Sequence, residues 1–360
     1  MPEQIPIYGY GLMLTLAFII ASWYAGRRAR KEGVAPQPVQ DLAIWLLFSG
    51  LAGARITYVI QYHVPIWQFF QIWQGGLVFY GSMLGGAAGF FTKYFLIIRK
   101  QPLPIRKLAD IVAPCIALGL VIGRVGCLLN GCCWGNVATC DHCPAIEFPM
   151  SAPARYSLVE HGYQTAAGFL LKEDRIEAVV DRVVPDSPAW QSGLRAGDTI
   201  LVANSLGSGQ TSQPLSNKEM WRYLVEDWPR GKTTLQLTVR HADGQVATLT
   251  TFRPETLGLH PTQIYESVTA LLLFGVLLAY LPFRRHAGEL LALLMCLYPI
   301  HRFLDEMLRN DTDPVAFGMT LSQNLSILCI AGGVVLFWRL RQKPAPAQSE
   351  ERRTPAFAGR

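Results

Sequence analysis

IYGYGLMLTLAFIIASWYA at 7–25 runs directly into GRRARK at 26–31. The first stretch is long and apolar enough to span a bilayer, which needs about 20 residues. Its basic run follows it instead of preceding it. A secretory leader has the opposite polarity, so the stretch reads as a retained helix with its N-terminus outside. Six further apolar stretches lie at 42–62, 77–98, 109–129, 262–282, 287–307 and 317–339. Threading them alternately places Arg99, Lys100, Arg106, Lys107, Arg284, Arg285, Arg339, Arg341 and Lys343 on one inner side. The fold class expected is therefore a polytopic α-helical membrane protein of about seven transmembrane helices, N-terminus out and C-terminus in.

Composition agrees. The chain has 360 residues, 51% of them hydrophobic and 16% charged, against about 25% charged in a soluble domain. This excludes a disordered chain and an ordinary cytosolic enzyme. The net charge of +6 sits in short loops on one side, which is an orientation signal and not a nucleic-acid surface. Eight cysteines are too few for a small disulfide scaffold.

About 130 residues separate the fourth and fifth spans, too many for a connector without its own fold. Within them, VVPDSPAWQSGLRAGDTILVAN (183–204) places Ser187 as a helix N-cap before Pro188. Gly193 stands at a left-handed cap, and Gly197-Asp198 turns into a strand over 199–202. Ser216-x-x-Glu219 is a capping box opening an amphipathic helix with Met220, Trp221, Leu224 and Val225. Strands follow near 233–240 and 246–252, joined by His241-Ala242-Asp243-Gly244. The segment 170–253 resembles a small α+β PDZ domain of the bacterial envelope type, which implies binding of a peptide ligand by strand addition. Gly168-Phe169-Leu170-Leu171 is the candidate carboxylate-binding loop. The expected domains are a membrane domain at 1–150 with spans one to four, the insert at 170–253, a membrane domain at 254–343 with spans five to seven, and a disordered cytoplasmic tail at 344–360.

Ionisable groups inside spans are costly and usually functional. Tyr10, Arg55, Tyr80, Arg124, Asn130, Glu266, Arg302, Asp305 and Glu306 all fall at one depth, toward the outer leaflet. Two arginines facing one cavity fit a phosphate, whose oxygens match the guanidinium fork. A phosphate at membrane depth means a phospholipid headgroup. Gly81, Gly85 and Gly89 in span three, and Gly119 and Gly123 in span four, read as faces for close helix approach.

Four motifs carry a resemblance: GRVGCLLNGCCWG at 123–135, HPTQIYE at 260–266, GGLVFYG at 75–81, and Tyr298-x-x-x-Arg302-Phe303-x-x-Glu306. Together they resemble the prolipoprotein diacylglyceryl transferase family. Tyr10-Gly11 and the stretch around Arg55 add weaker matches. The resemblance covers all seven spans and excludes the insert. It implies an enzyme of the bacterial cytoplasmic membrane, with the insert on the periplasmic side. That enzyme moves the diacylglyceryl group of phosphatidylglycerol to the lipobox cysteine of a prolipoprotein, in lipoprotein maturation, with no cofactor. Glycerol phosphate leaves and a thioether forms. Arg124 and Arg302 are then the catalytic cations, with Glu306 orienting Arg302 from the i+4 position. Tyr10, Arg55, Asn130, His260, Gln263 and Tyr298 would bind substrate. Position 80 is Tyr where many members carry His, and Tyr80 is a poor base at its ordinary pKa of about 10, so it is expected to position substrate or relay a proton. Cys127 stands where many have Asn, and Cys132 where many have an acidic residue.

Cys127, Cys132, Cys133, Cys140 and Cys143 cluster on the outer side with His142. Disulfides or free thiols are one reading. A metal site in which Cys140-x-x-Cys143 joins Cys132 or Cys133 is the other, and the active site itself is expected to hold no metal. Two rival functions stand beside this reading. An intramembrane protease would need HExxH or a Ser–His pair in the spans, and the sequence has neither. A non-catalytic lipid- or lipoprotein-binding scaffold would keep the headgroup site without the chemistry.

Overall fold

The computed structural model describes residues 9–71, 78–100, 103–139, 143–204, 214–229, 231–309 and 314–344. The tail expected to be disordered lies outside them but for Pro344, as do Gly75 and Gly76 of the third motif. The chain divides into two compact units.

The first unit comprises 1–124, 266–306 and 314–360. Its long helices are α1 (Gly9–Lys31), α2 (Gln37–Gln61), α3 (Phe79–Leu96), α4 (Ile105–Asn130), α8 (Thr262–Tyr280), α9 (Glu289–Glu306) and α10 (Leu321–Arg341). The last turns of α4 and the first of α8 belong to the second unit. Among the described residues, six helices are long and apolar enough to cross a membrane; α9 is not one of the six. Its 18 residues include Glu289, Arg302, Asp305 and Glu306. Large apolar side chains such as Phe48, Ile60, Leu84, Leu272 and Leu328 are exposed on these helices. Such faces are unfavourable in water and natural against lipid.

Local sequence explains the helix ends. Thr320 and Gln323 form a capping box at the start of α10. The basic run after the first apolar stretch stays helical, because Arg and Lys are good helix formers and favour the C-terminal turn. Gly81, Gly85 and Gly89 of α3 lie against Thr57, Gly53 and Ser49 of α2. A Cβ on Gly85 would stand 2.8 Å from Gly53 Cα, so this pair of helices meets backbone to backbone. Gly119 and Gly123 do not do this. A Cβ on either would meet nothing within 4 Å among the described residues, so the expected close approach through span four is corrected.

Buried ionic groups gather the ends of α1, α4, α8, α9 and α10. Asp110 is fully buried and accepts the N–H groups of Gly288, Leu290 and Leu291 at 2.7, 3.0 and 3.1 Å. It thus caps α9 from another helix. Arg284 reaches Glu32 at 2.7 Å and Asp110 at 3.4 Å. Arg341 bonds the Tyr280 hydroxyl and lies 3.3 Å from the buried Glu289.

The second unit comprises 125–265 and 307–313. It holds α5 (Pro153–Glu160), β1 (Phe169–Leu171) paired antiparallel with β2 (Val180–Val183), and the sheet of β3 (Thr199–Ala203), β4 (Leu237–Arg240) and β5 (Val246–Thr248) in the order β3-β4-β5. The short α6 (Pro188–Gln191) and α7 (Asn217–Val225) complete it. The Ser187 hydroxyl accepts from Trp190 N–H at 3.2 Å, and Gly193 and Gly197 are left-handed, with φ of +101° and +92°. The Ser216–Glu219 capping box is present. The strand expected from 233 begins at Leu237, preceded by a bridge between Leu235 and Phe252. Met220, Leu224 and Val225 are buried in the core, but Trp221 is 38% exposed, so the buried face of α7 is narrower than its apolar pattern.

Arg155 on α5 is the polar centre of this unit. It is 1% exposed and donates to the carbonyls of Leu224 at 2.6 Å, Met150 at 3.3 Å, and Ala166. Burial pushes its pKa down to about 10.

Candidate active site

In the first unit, α4, α8 and α9 bring polar groups together inside apolar helices. Arg124 Nε lies 2.7 Å from Glu266 Oε2, and Glu266 is 3% exposed. Ser267, the next residue of α8, donates its hydroxyl to the Val121 carbonyl of α4 at 3.0 Å. That bond fixes the two helices at the level of the ion pair. Tyr298 on α9 hydrogen-bonds Arg124 and lies within electrostatic reach of Glu266 and Arg302. Arg302 is held from its own helix by Asp305 at 3.3 Å and Glu306 at 2.5 Å. Both carboxylates are buried. His301 lies within electrostatic reach of both arginines.

Among the described residues, two guanidiniums thus meet three buried carboxylates. Each guanidinium presents five N–H donors in a planar fork, the geometry that matches carboxylate and phosphate oxygens.

Of the residues singled out in the sequence, Arg124, Glu266, Tyr298, Arg302, Asp305 and Glu306 meet here. Arg55 is 2% exposed, donates to the Gln71 carbonyl at 3.0 Å and stacks 5.0 Å above the Tyr58 ring. Tyr10 is exposed on α1. Tyr80 belongs to α3, and its side chain lies outside the described residues. His301 was overlooked, although Tyr298, His301, Arg302 and Asp305 share one helix face at i, i+3, i+4 and i+7.

In the second unit, Asn130, His260 and Gln263 surround the chain that leaves α4. Gln263 Nε2 donates to the Cys132 carbonyl at 2.7 Å, and Thr262 Oγ1 to the Cys133 carbonyl at 2.6 Å. The His260 N–H bonds Asn136, and the His260 carbonyl accepts from Gly135. Asn130 hydrogen-bonds Cys132. Gln263 Oε1 is buried and accepts no hydrogen bond among the described residues. Cys127, Cys132 and Cys133 are thiols, and Cys143 is disulfide-bonded. The metal reading that needed Cys143 as a ligand is thereby overturned, because a disulfide sulfur has no thiolate to offer. Cys140 and His142 lie outside the described residues.

The same unit contains a cavity of about 690 Å³ between Gly168–Leu171 on one side and Asn217, Trp221 and Leu224 of α7 on the other. Trp221 turns to this cavity and not to the core.

Comparison with known proteins agrees with the arrangement. The profile of the family described as prolipoprotein diacylglyceryl transferase matches residues 1–339. A phosphatidylglycerol–prolipoprotein diacylglyceryl transferase of Rhodopirellula baltica is 30% identical over 390 residues, covering 94% of this chain and 74% of that one. One of Symbiobacterium thermophilum is 28% identical over 346 residues, covering 94% and 90%. One of Aeromonas salmonicida is 37% identical over 152 residues, covering 40% and 53%.

Proposed function

The chain belongs to the prolipoprotein diacylglyceryl transferase family, and from that premise we propose how its own residues serve the transfer. The reaction moves a diacylglyceryl group from phosphatidylglycerol to the cysteine thiol of a prolipoprotein, a step of lipoprotein maturation at a bacterial membrane. The thiolate sulfur attacks the glycerol carbon that carries the phosphate ester. A C–S bond forms, the C–O bond breaks, and glycerol phosphate leaves with the electron pair. This needs cations at the departing phosphate and an acceptor for the thiol proton.

Arg124 and Arg302 supply the cations. Tyr298 and Glu306 position them, and Tyr10 adds a hydrogen bond to the headgroup. One of the buried carboxylates Glu266, Asp305 and Glu306 is the proton acceptor, since position 80 is Tyr and not His. One observation carries this reading: Arg124 of α4 and Arg302 of α9 each rest on buried carboxylates, in a cluster built from α4, α8 and α9. Family membership sets aside the non-catalytic scaffold.

The finer architecture is part of the proposal. Seven helices cross the membrane, α9 included, with the N-terminus outside. Pairing of the α9 charges supports this, since paired charges are the ones tolerated at membrane depth. The insert is PDZ-like and faces the periplasm; its support is the cavity between Gly168–Leu171 and α7. Ser208→Cys should react with an impermeant thiol reagent in intact cells and Arg285→Cys should not.

The test of the chemistry is transfer by Arg124→Ala and Arg302→Ala variants that insert normally. Each should lose activity at least 100-fold, and Lys should restore little because the fork geometry is lost. Activity near wild type in either Ala variant overturns the assignment.

A further inference from the structure

Three thiols converge where α4 ends. Cys127 is on its last turn, and Cys132 and Cys133 follow the turn at Gly131. Their Sγ atoms all lie within 4.8 Å of one another. Adjacent side chains of an extended chain point in opposite directions, so Cys132 and Cys133 can both turn to Cys127 only through an unusual backbone. Gly131 has φ of +67° and Cys133 of +59°, the second a left-handed conformation that few non-glycine residues adopt.

That conformation is held in place. Thr262 and Gln263, both fully buried, donate to the Cys133 and Cys132 carbonyls. The Cys132 N–H closes back on the Cys127 carbonyl at 3.2 Å. A strained residue fixed by buried hydrogen bonds marks a functional constraint, and here the strain aims a thiol.

We infer that Cys127, Cys132 and Cys133 bind a thiophilic divalent ion of the zinc class, with a fourth position open to a substrate thiol. A tetrahedron of Zn–S bonds of about 2.3 Å has S–S edges of about 3.8 Å, so sulfurs no more than 4.8 Å apart each move inward by at most about 0.6 Å. Thiolate sulfur selects soft ions over Mg2+ or Ca2+. On binding, each cysteine releases its proton to solvent, and a water completes the tetrahedron. Three protein ligands with one open position is the arrangement of reactive zinc sites, not of closed structural ones. A thiol that displaces the water gives up its proton to solvent and is held as a thiolate. The choice of a thiol as fourth ligand rests on the transfer reading above; the metal site itself does not.

The experiment uses the full chain, purified in lipid nanodiscs, reduced and metal-free. It is titrated with Cd2+, whose thiolate complexes absorb in the ultraviolet, and then with Zn2+ as competitor. One Cd2+ should bind per chain with the absorption of three thiolates, and Zn2+ should displace it. Cys127→Ser, Cys132→Ser and Cys133→Ser should each weaken binding at least tenfold. A lipobox peptide with its cysteine should add a fourth thiolate's absorption, and its Cys→Ser counterpart should add none. No saturable binding, binding unchanged in the triple Ser variant, or a disulfide among the three in freshly purified protein would each overturn the site. Binding with no response to the peptide would overturn its open position. Inactive protein that still binds Cd2+ in this way would count against the transfer reading and leave the metal site standing.

Discussion

Arg124 and Glu266 form an ion pair of 2.7 Å between α4 and α8, with the carboxylate almost wholly buried. Desolvating such a pair costs more than its attraction usually returns, so its retention is weak support for stability and better support for a task. The pair fixes the guanidinium, while the Ser267–Val121 bond one residue on fixes the helices. The result is a preorganised cation, which lowers a barrier without reorganisation when charge develops.

Glu266→Gln should therefore affect both stability and rate. Breaking one side of a buried ion pair costs about 3–5 kcal/mol. The variant should unfold earlier in a thermal melt, and a double-mutant cycle with Arg124→Ala should show strong coupling. A near-additive cycle would mean that the 2.7 Å pair carries little energy.

Asp110 is a structural counterpart. Its carboxylate accepts three N–H groups at the start of α9. Asp110→Ala leaves buried donors that each cost about 1–3 kcal/mol, so the variant should lose several kcal/mol. Asp110→Asn, which keeps one acceptor oxygen, should lose less. Melts of the two variants beside wild type would decide it.

Gly85→Ala and Gly119→Ala should separate packing from open space. A methyl on Gly85 meets Gly53 backbone at 2.8 Å, whereas one on Gly119 meets nothing within 4 Å. The first should cost about 1–3 kcal/mol through overpacking. The second should be neutral or slightly stabilising, since Ala is the better helix former.

Glu219 gives a pH-dependent expectation. The Ser216 hydroxyl and N–H hold its carboxyl below the usual carboxylate range. A depressed acid stabilises the fold above its unfolded pKa and loses that contribution as pH falls through its folded value. Wild type should thus exceed Glu219→Gln in thermal stability at neutral pH, and the gap should close below about pH 4. A gap that is constant from neutral pH to pH 3 would show that the charge contributes nothing.

What the sequence revealed was mostly local. The apolar stretches, the Ser187 cap and the Ser216–Glu219 box depend on neighbours within a few residues, and all could be read directly. The grouping of Arg124 with Arg302 came from depth along the spans. The Arg302–Glu306 pair was legible at its i+4 spacing, but the pairing of Arg124 with Glu266 across helices was not. Asp110 looked like part of an apolar stretch, because its partners lie on the far side of α8. Arg155 drew no attention, since its three acceptors are backbone carbonyls that no side-chain pattern announces. The thiol cluster depends on a left-handed Cys133, which residue type argues against.

The insert is best probed at Trp221. Excising 170–253 would also strip the partners of Met150, Ala167 and Phe169, which are buried in the same core, so loss of activity there would conflate unfolding with lost recruitment. Trp221 is 38% exposed and lines the cavity beside Gly168–Leu171. Replacing it removes an aromatic wall at little structural cost. A peptide segment held there raises the effective concentration of a long substrate and adds nothing to the chemical step. Trp221→Ala should therefore keep kcat on a short lipobox peptide and raise KM several-fold for full-length prolipoprotein alone. An unchanged KM for the long substrate would show that the cavity recruits nothing for this reaction. A fall in kcat on the short peptide would place Trp221 in the catalytic unit instead.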